Sequence, residues 1–496
     1  MKTDESELVH SGLLIAADGS PNKTALVCDQ DSYTYADIVL RAHRFAVQVD
    51  QHRARRVALC LPNSPVVVDV FFGTLMAGSC VCLFDPGWPG ALLRTLLSKH
   101  APNIFVASEG ALADHADALA STVGLSGAEI EAVAGLSSED SALRSQPSSD
   151  MPFLIGFTSG SSGPPKAFVR SHLTWTESFK HSALEFGLTQ GDCVLAPGPL
   201  SHGLSLYAVI EALCKGATAV IQTQFDTSHV LSAIQTRHVS VLVVVPTMLD
   251  VILERASGQS FPSVTSLVTA GAKLSPSLRD RARRVFPNAE IIEYYGASEL
   301  SFISVAKGSE DCPPSSVGRP FSGVEIEVRD ERGQAVDVGD VGTVWVKSDM
   351  LCSGYVGRTD GSGMRIDGAW ATVGDFGHQD AAGYLYLDGR EGSAITSAGY
   401  TVYPSSIEAV LFSHPGIADA AVMGVPHPRW GEVIAAAVVP VADSLISEAE
   451  LSEHCQNMLE PYACPRLWAV TGHLKRTQNG KVDRAALRAQ FASDSV

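Results

Sequence analysis

Three observations predict an α/β fold with more than one domain. From Leu26 to about Val106, short apolar runs alternate with helical patterns, the mark of βαβ units. The chain has 496 residues, more than a single hydrophobic core accommodates. A Gly/Ser-rich loop lies between an apolar run, Phe153-Leu154-Ile155, and a helical pattern over 167–186. A strand, a small-residue loop and a helix form an arrangement that holds phosphate.

The elements follow in chain order. Val57-Ala-Leu-Cys-Leu61 reads as a strand ending at Pro62-Asn63, 66–76 as a helix, and 79–84 as a strand that stops at Asp85-Pro86. Residues 111–150 are rich in Ala, Ser, Gly and Glu with little apolar patterning and read as a loose connection. Val194-Leu-Ala is followed by Pro197-Gly-Pro-Leu-Ser-His-Gly203 and an apolar helix over 204–214. Two β-branched strands end in small residues or a turn, Val241-Leu-Val-Val-Val-Pro-Thr247 and Leu267-Val-Thr-Ala-Gly-Ala-Lys273. Ligand crevices form at the carboxyl ends of such strands.

Composition narrows the function. Hydrophobic residues make up 45% and charged residues 18%, ordinary for a globular protein. A net charge of −18 argues against nucleic acid or an anionic membrane as partner. The ten cysteines show no zinc-type spacing, so a reduced, cytoplasmic chain is expected. No apolar run is long enough to span a membrane, and no membrane insertion is expected. The acidic first residues, Met1-Lys-Thr-Asp-Glu-Ser-Glu, predict no signal peptide, and the final Ala-Ser-Asp-Ser-Val carries no peroxisomal signal.

The central loop is Phe157-Thr158-Ser159-Gly160-Ser161-Ser162-Gly163-Pro164-Pro165-Lys166. Glycines let the backbone approach phosphate, hydroxyls and N–H groups donate, and Lys166 adds a full charge. The spacing is not that of a Walker A loop, and the Pro-Pro pair fixes where the lysine points. The stretch resembles the phosphate loop of the adenylate-forming (AMP-binding) enzymes: acyl-CoA synthetases, adenylation domains and luciferases. Its one departure is Ala167 in place of the last glycine.

Further stretches resemble the same family in order. Ser32-Tyr-Thr-Tyr-Ala-Asp37 is similar to its early helix start. Tyr295-Gly296-Ala297-Ser298-Glu299 resembles Y-G-x-[TS]-E, and the resemblance implies that Glu299 ligates Mg²⁺ beside a triphosphate. Ala270, Gly271 and Ala272 stand where the family packs against adenine and acyl groups. Val317-Gly-Arg-Pro320, 341–347 and Gly354-Tyr355 resemble the antiparallel region that follows, a distorted β-barrel in the family. Val373-Gly374-Asp375 stands for Thr-Gly-Asp, with Asp375 implied to accept both ribose hydroxyls and Arg390 to approach the nucleotide. His202 matches a P-L-x-H element at the mouth of the acyl pocket, and Gly203 lies where amino-acid-activating relatives carry an aspartate. A neutral residue there disfavours an α-amino acid substrate. Leu204, Tyr207, Ala270, Gly271, Ser301 and Phe302 complete the pocket candidates.

The resemblance divides the chain into a large N-terminal domain, 1–390, for ATP and acyl substrate, and a small mobile α+β domain, 391–496. The family's Asp or Lys hinge is replaced by Gly392, which permits rotation but directs it less. Gly399, with Tyr400 beside it, matches the glycine lining the pantetheine tunnel, and Val422-Met-Gly-Val-Pro426 to Gly431-Glu-Val matches G-x-P-d-x-x-x-G-E. Leu474-Lys-Arg-Thr-Gln-Asn-Gly480-Lys481-Val-Asp-Arg484 resembles P-R-T-x-x-G-K-x-x-R, with Lys475 for the proline. The implied chemistry is that of a bacterial-type acyl-CoA synthetase using ATP, Mg²⁺ and CoA. Lys481 joins carboxylate to α-phosphate, the loop from Thr158 and Glu299 with its metal hold pyrophosphate, and a thiol then attacks the acyl-adenylate. Two alternatives stay open: loading of a carrier protein's phosphopantetheine, and a catalytically weak binding homologue.

Overall fold

The computed structural model describes residues 8–119, 122–134, 143, 147–158, 165–357, 363–391, 395–397, 400–427, 431–441, 444 and 446–476, and 482–493. Among them, two sheets carry the larger part of the chain. One has nine strands, parallel through its centre and antiparallel at both ends. The other has six strands, parallel except for its last, Lys166–Ser171, which runs antiparallel to Pro152–Thr158.

The two-residue period of the strands builds three layers of core. In Arg56–Cys60, Val57 and Leu59 face the layer between the sheets while Ala58 and Cys60 face outward. In Val241–Val244 of the other sheet, Val241 and Val243 face the same middle layer, and Leu242 and Val244 face out. Helices Tyr35–Gln51, Pro65–Met76, His172–Phe186 and Gly203–Cys214 fill that middle layer. Every residue of Pro65–Met76 is buried, which its all-round apolar sequence requires. Helix Tyr35–Gln51 starts with a capping box: Thr34 Oγ1 accepts from the Asp37 N–H, and the Thr34 N–H donates back to Asp37. It crosses Pro65–Met76 at Gly73, where a Cβ would lie 2.4 Å from the Ala42 carbonyl oxygen. Arg41 of the first helix and Asp69 of the second pair at 2.6 Å within this layer.

A third, antiparallel sheet of six strands runs from Glu325–Arg329 to Leu385–Arg390. Among the described residues it is open, so the barrel region of the sequence reading takes the form of an open sheet. The last sheet, built on the long hairpin Ile417–His427 and Gly431–Pro440, has its own two cores. Val422 and Ala436 pack with Ile407 and Leu451 on one face, and Met423 and Ala435 with Leu487 and Phe491 on the other.

Two sequence expectations are corrected. Residues 167–186 are not one helix: Lys166–Ser171 is a strand, and the helix starts at His172. The loop therefore caps a β-hairpin rather than a helix N-terminus. Residues 111–150 are not a loose connection throughout, because Val123–Ser126 pairs in parallel with Ile104–Ala107 as the sheet's edge strand. Backbone pairing at an edge leaves little side-chain pattern for sequence to display.

Candidate active site

Thr158 and Lys166 are paired residues at the open end of the hairpin, directly flanking the loop. Ser159, Gly160, Ser161, Ser162 and Gly163 of the loop lie outside the described residues. The second hairpin strand is held on its free edge by the segment around Gly354. Val169 N–H donates to the Gly354 carbonyl at 2.9 Å, and Val356 N–H to the Ala167 carbonyl at 2.8 Å. This brings the Tyr355 ring under the ammonium of Lys166, at 5.8 Å from Nζ to centroid.

Tyr355 also donates its O–H to Glu299 Oε1 at 2.6 Å. Burial and the facing carboxylate raise the Tyr355 phenol well above its usual range, so it stays a donor at physiological pH. Glu299 is 6% exposed and follows a tight turn from strand Glu290–Ala297. A Cβ at Gly296 would sit 2.4 Å from the Ser301 carbonyl oxygen, and Ser301 has a φ of 62°. Such strained backbone persists where surrounding contacts hold it. Arg170 supplies one of those contacts. Its buried guanidinium donates to the Ser298 carbonyl at 2.6 Å and to the Met350 carbonyl. Burial lowers its pKa, but a guanidinium keeps its charge. Lys166, Tyr355 and Glu299 thus form one contiguous group, braced by Arg170.

A second carboxylate cluster stands beside it. Tyr295 donates to Asp375 Oδ2, and Arg390 Nε lies 3.1 Å from Asp375 Oδ1. The expected Thr of Thr-Gly-Asp is Val373, which is buried, and the fully buried Thr372 accepts through Oγ1 from the Gly374 N–H at 3.0 Å. Gly374, at a φ of 82°, turns the chain so that Asp375 starts the next strand. Gly271 also has a positive φ, 91°, and only Val245 Cγ1, at 3.8 Å, would neighbour a Cβ there. Ala270 is buried at the end of its strand, while Gly271 and Ala272 are exposed, as are Gly296 and Ser298. Ala297 is half-buried.

His202 caps the helix Gly203–Cys214, and its Nε2 lies 3.3 Å from Asp85 Oδ2. The histidine and the Gly87 N–H hold the Asp85 carboxyl below its usual range. A Cβ at Gly203 would meet nothing within 4 Å. Of the pocket candidates, Leu204, Tyr207 and Phe302 come together around one narrow cavity, joined by Glu211 and Tyr294. Ala270, Gly271, His202 and Gly203 do not line it.

Lys481, Gly399 and Gly392 lie outside the described residues, and Tyr400 is described only as the start of a short strand. The ends of the Lys481 segment are paired: Arg476 bridges Val482, and the Asp483 N–H donates to the Lys475 carbonyl at 2.8 Å. Arg484 binds Glu408 at 2.6 Å. Arg170, Asp85 and Glu211 escaped the sequence reading. An arginine inside Ala167-Phe-Val-Arg-Ser171 and a glutamate inside Tyr207-Ala-Val-Ile-Glu-Ala-Leu213 were the available signals: single charges flanked by apolar residues.

Among the described residues, no three His, Cys, Asp or Glu side chains gather at a metal-binding spacing. Mg²⁺ is commonly held by one or two carboxylates with substrate phosphates and water, so a single buried carboxylate such as Glu299 fits it.

The family model described as "AMP-binding enzyme" matches residues 14–356, and that described as "AMP-binding enzyme C-terminal domain" matches 406–481. The uncharacterized acyl-CoA ligase YhfT of Bacillus subtilis is 32% identical over 486 residues, 97% of each chain. The o-succinylbenzoate CoA synthetase of Bacillus subtilis, solved with its acyl-adenylate intermediate, superposes with a TM-score of 0.83 at 25% identity, covering 96% of this chain and 97% of that one. ATP-bound MatB from Rhodopseudomonas palustris shares the fold, with a TM-score of 0.88 at 23% identity over 99% of this chain and 100% of that one.

Proposed function

Because this chain belongs to the family of AMP-binding enzymes, we propose that it activates a carboxylic acid with ATP and passes the acyl group to the thiol of CoA. The observation that carries this reading is the contiguous group Lys166, Tyr355 and Glu299 at the mouth of the phosphate hairpin. A carboxylate and ATP repel each other, and the transition state at the α-phosphorus gathers further negative charge. Preorganised donors and cations offset this. Lys166 and the loop beginning at Thr158 hold the departing pyrophosphate. Glu299 would hold Mg²⁺, which would supply charge neutralisation for the phosphates. Tyr355 orients Glu299 by donating to its Oε1.

Asp375 accepts the ribose hydroxyls, with Tyr295 and Arg390 fixing its two oxygens. Gly271, Ala272 and the turn Gly296–Ser298 leave room for the adenine ring, and His202, steadied by Asp85, guards the acyl channel. Lys481 reaches from the C-terminal unit to bridge the substrate carboxylate and the α-phosphate. The two separate cores beyond residue 395 support a division at 390/391, with Gly392 as hinge and Gly399 and Tyr400 beside the thiol's path. Unpaired cysteines and the absence of a long apolar helix among the described residues suit a cytoplasmic setting.

Carboxylate-dependent ATP–pyrophosphate exchange across an acid panel, followed by CoA-dependent AMP release, tests this reading. Exchange and thioester formation, with exchange lost in Lys481→Ala, are expected. Exchange without CoA turnover would point to a carrier-protein acceptor or to a second half-reaction impaired at Gly392. Folded protein that binds ATP but exchanges with no acid would overturn the enzymatic reading.

A further inference from the structure

The cavity beside the helix Gly203–Cys214 contains a carboxyl that the adenylating chemistry does not use. Leu204, Tyr207, Ala208 and Glu211 line it from one helix face, at the spacing that stacks side chains along a single stripe. Tyr294 and Phe302 close the opposite side. Glu211 is 3% exposed. Ser182 Oγ donates to its Oε1, and the Tyr207 O–H donates to Ser182 at 3.4 Å. Among the described residues, Ser182 is the side-chain donor to this carboxyl.

Ionised or protonated, a carboxyl keeps acceptor positions beyond the one that the Ser182 hydroxyl fills. Burying the rest against hydrocarbon is strongly unfavourable. A methyl-ended acyl chain would complete that burial, whereas a chain ending in a donor would relieve it. We propose that the acid activated by this enzyme carries a hydrogen-bond donor, a hydroxyl or an amine, at the end remote from its reacting carboxylate, and that Glu211 selects it. The inference rests on the acyl-adenylating reading above and names its substrate class. Leu204 and Glu211 are seven residues apart, so the lined stretch runs about 10 Å along the helix. The cavity is narrow, about 30 Å³, which suits a slim terminal group reaching inward better than a broad one.

The test uses acids matched except at the far end. Straight-chain acids ending in methyl, hydroxyl or ammonium, and 3-phenylpropanoic acid with its 4-hydroxy and 4-amino forms, are compared by pyrophosphate exchange. Wild type, Glu211→Gln and Glu211→Leu are each measured, and the affinities of the same acids are read by calorimetry without turnover. Measured at pH 8, where the Glu211 carboxyl is ionised, a hydrogen bond to a charged group corresponds to roughly a ten- to hundredfold preference for the donor-ended acid in wild type. Glu211→Leu should remove or invert the preference, and Glu211→Gln, which retains an acceptor oxygen, should keep part of it. The hydroxyl and amine members distinguish the two donor sources. Wild type favouring methyl-ended acids, or an equal preference in wild type and Glu211→Leu, would overturn the proposal. Absence of exchange with every acid overturns the adenylating reading alone, since the calorimetric ratio still decides the role of Glu211. Should Glu211→Leu fail to fold, the wild-type and Glu211→Gln ratios carry the test.

Discussion

Replacing Glu211 by Gln should change how stability depends on pH. Burial among apolar and aromatic side chains raises the Glu211 carboxyl from 4.5 to about 7, against the smaller opposing effects of the Ser182 hydrogen bond and the Lys215 charge. The folded state therefore holds a proton that the unfolded chain releases above pH 4.5. The associated stability is complete below pH 4.5 and is lost as pH rises to about 7. At 1.36 kcal/mol per unit, this amounts to about 3 kcal/mol. Gln cannot titrate but still accepts from Ser182. Its extra N–H₂ adds a destabilisation of about 1–3 kcal/mol, which is independent of pH. The wild-type and variant curves should therefore converge or cross, with the variant gaining about 3 kcal/mol between pH 4.5 and 8. For a chain of this size that corresponds to a relative shift of roughly 3–6 °C in thermal midpoint. Thermal denaturation of both proteins in half-unit steps of pH reads the difference. Parallel curves across the window would refute the reasoning, whatever their vertical offset.

Three further outcomes follow from the same structure. Tyr355→Phe removes the donor 2.6 Å from Glu299, so the Mg²⁺ concentration supporting half-maximal exchange should rise about tenfold or more, and an unchanged Mg²⁺ dependence would dismiss the contact. His172 is held down to about 3 and His10 to about 4 by burial. Both favour the folded state above pH 6.5, and that stability is lost as pH falls toward those values. His172→Phe, which can keep the stacking on Phe153 at 5.0 Å, should flatten acid denaturation in urea titrations at pH 4–7, and an equally steep loss would contradict this. Gly73→Ala places a methyl 2.4 Å from the Ala42 carbonyl oxygen, and the strain should exceed the gain in helix propensity, lowering stability by about 1–3 kcal/mol. A urea midpoint at or above wild type would show that the two helices separate freely.

What sequence could reveal followed from how local each signal is. Strands such as Val241–Val244 and the buried helix Pro65–Met76 are legible because their apolar periods are written in a few consecutive residues. The stretch Ala167-Phe-Val-Arg-Ser171 was misread because Phe168, Trp175 and Phe179 fit a helical spacing. The deciding contact is distant in character: the Phe168 ring lies against Gly156 of the opposing strand, where a Cβ would be 2.3 Å away. Glu299 and Asp375 were marked by glycine turns beside them, features that sequence displays directly. Arg170 and Glu211 carry no such local mark, since a buried charge becomes meaningful only when its tertiary partners are known.

The strand Lys166–Ser171 has one more consequence. Its first residue stands over Tyr355, and its fifth, Arg170, grips the carbonyl just before Glu299. Lys166, proposed to hold phosphate, and the brace of the turn that carries Glu299, proposed to hold the metal, therefore sit on a single extended rod about 13 Å long. For protein engineering, the transplantable part is not the Gly/Ser loop but a three-piece cassette: the hairpin, the turn ending in Glu299 and the Met350–Val356 edge. A loop grafted without the other two would arrive with its lysine and leave Glu299 behind.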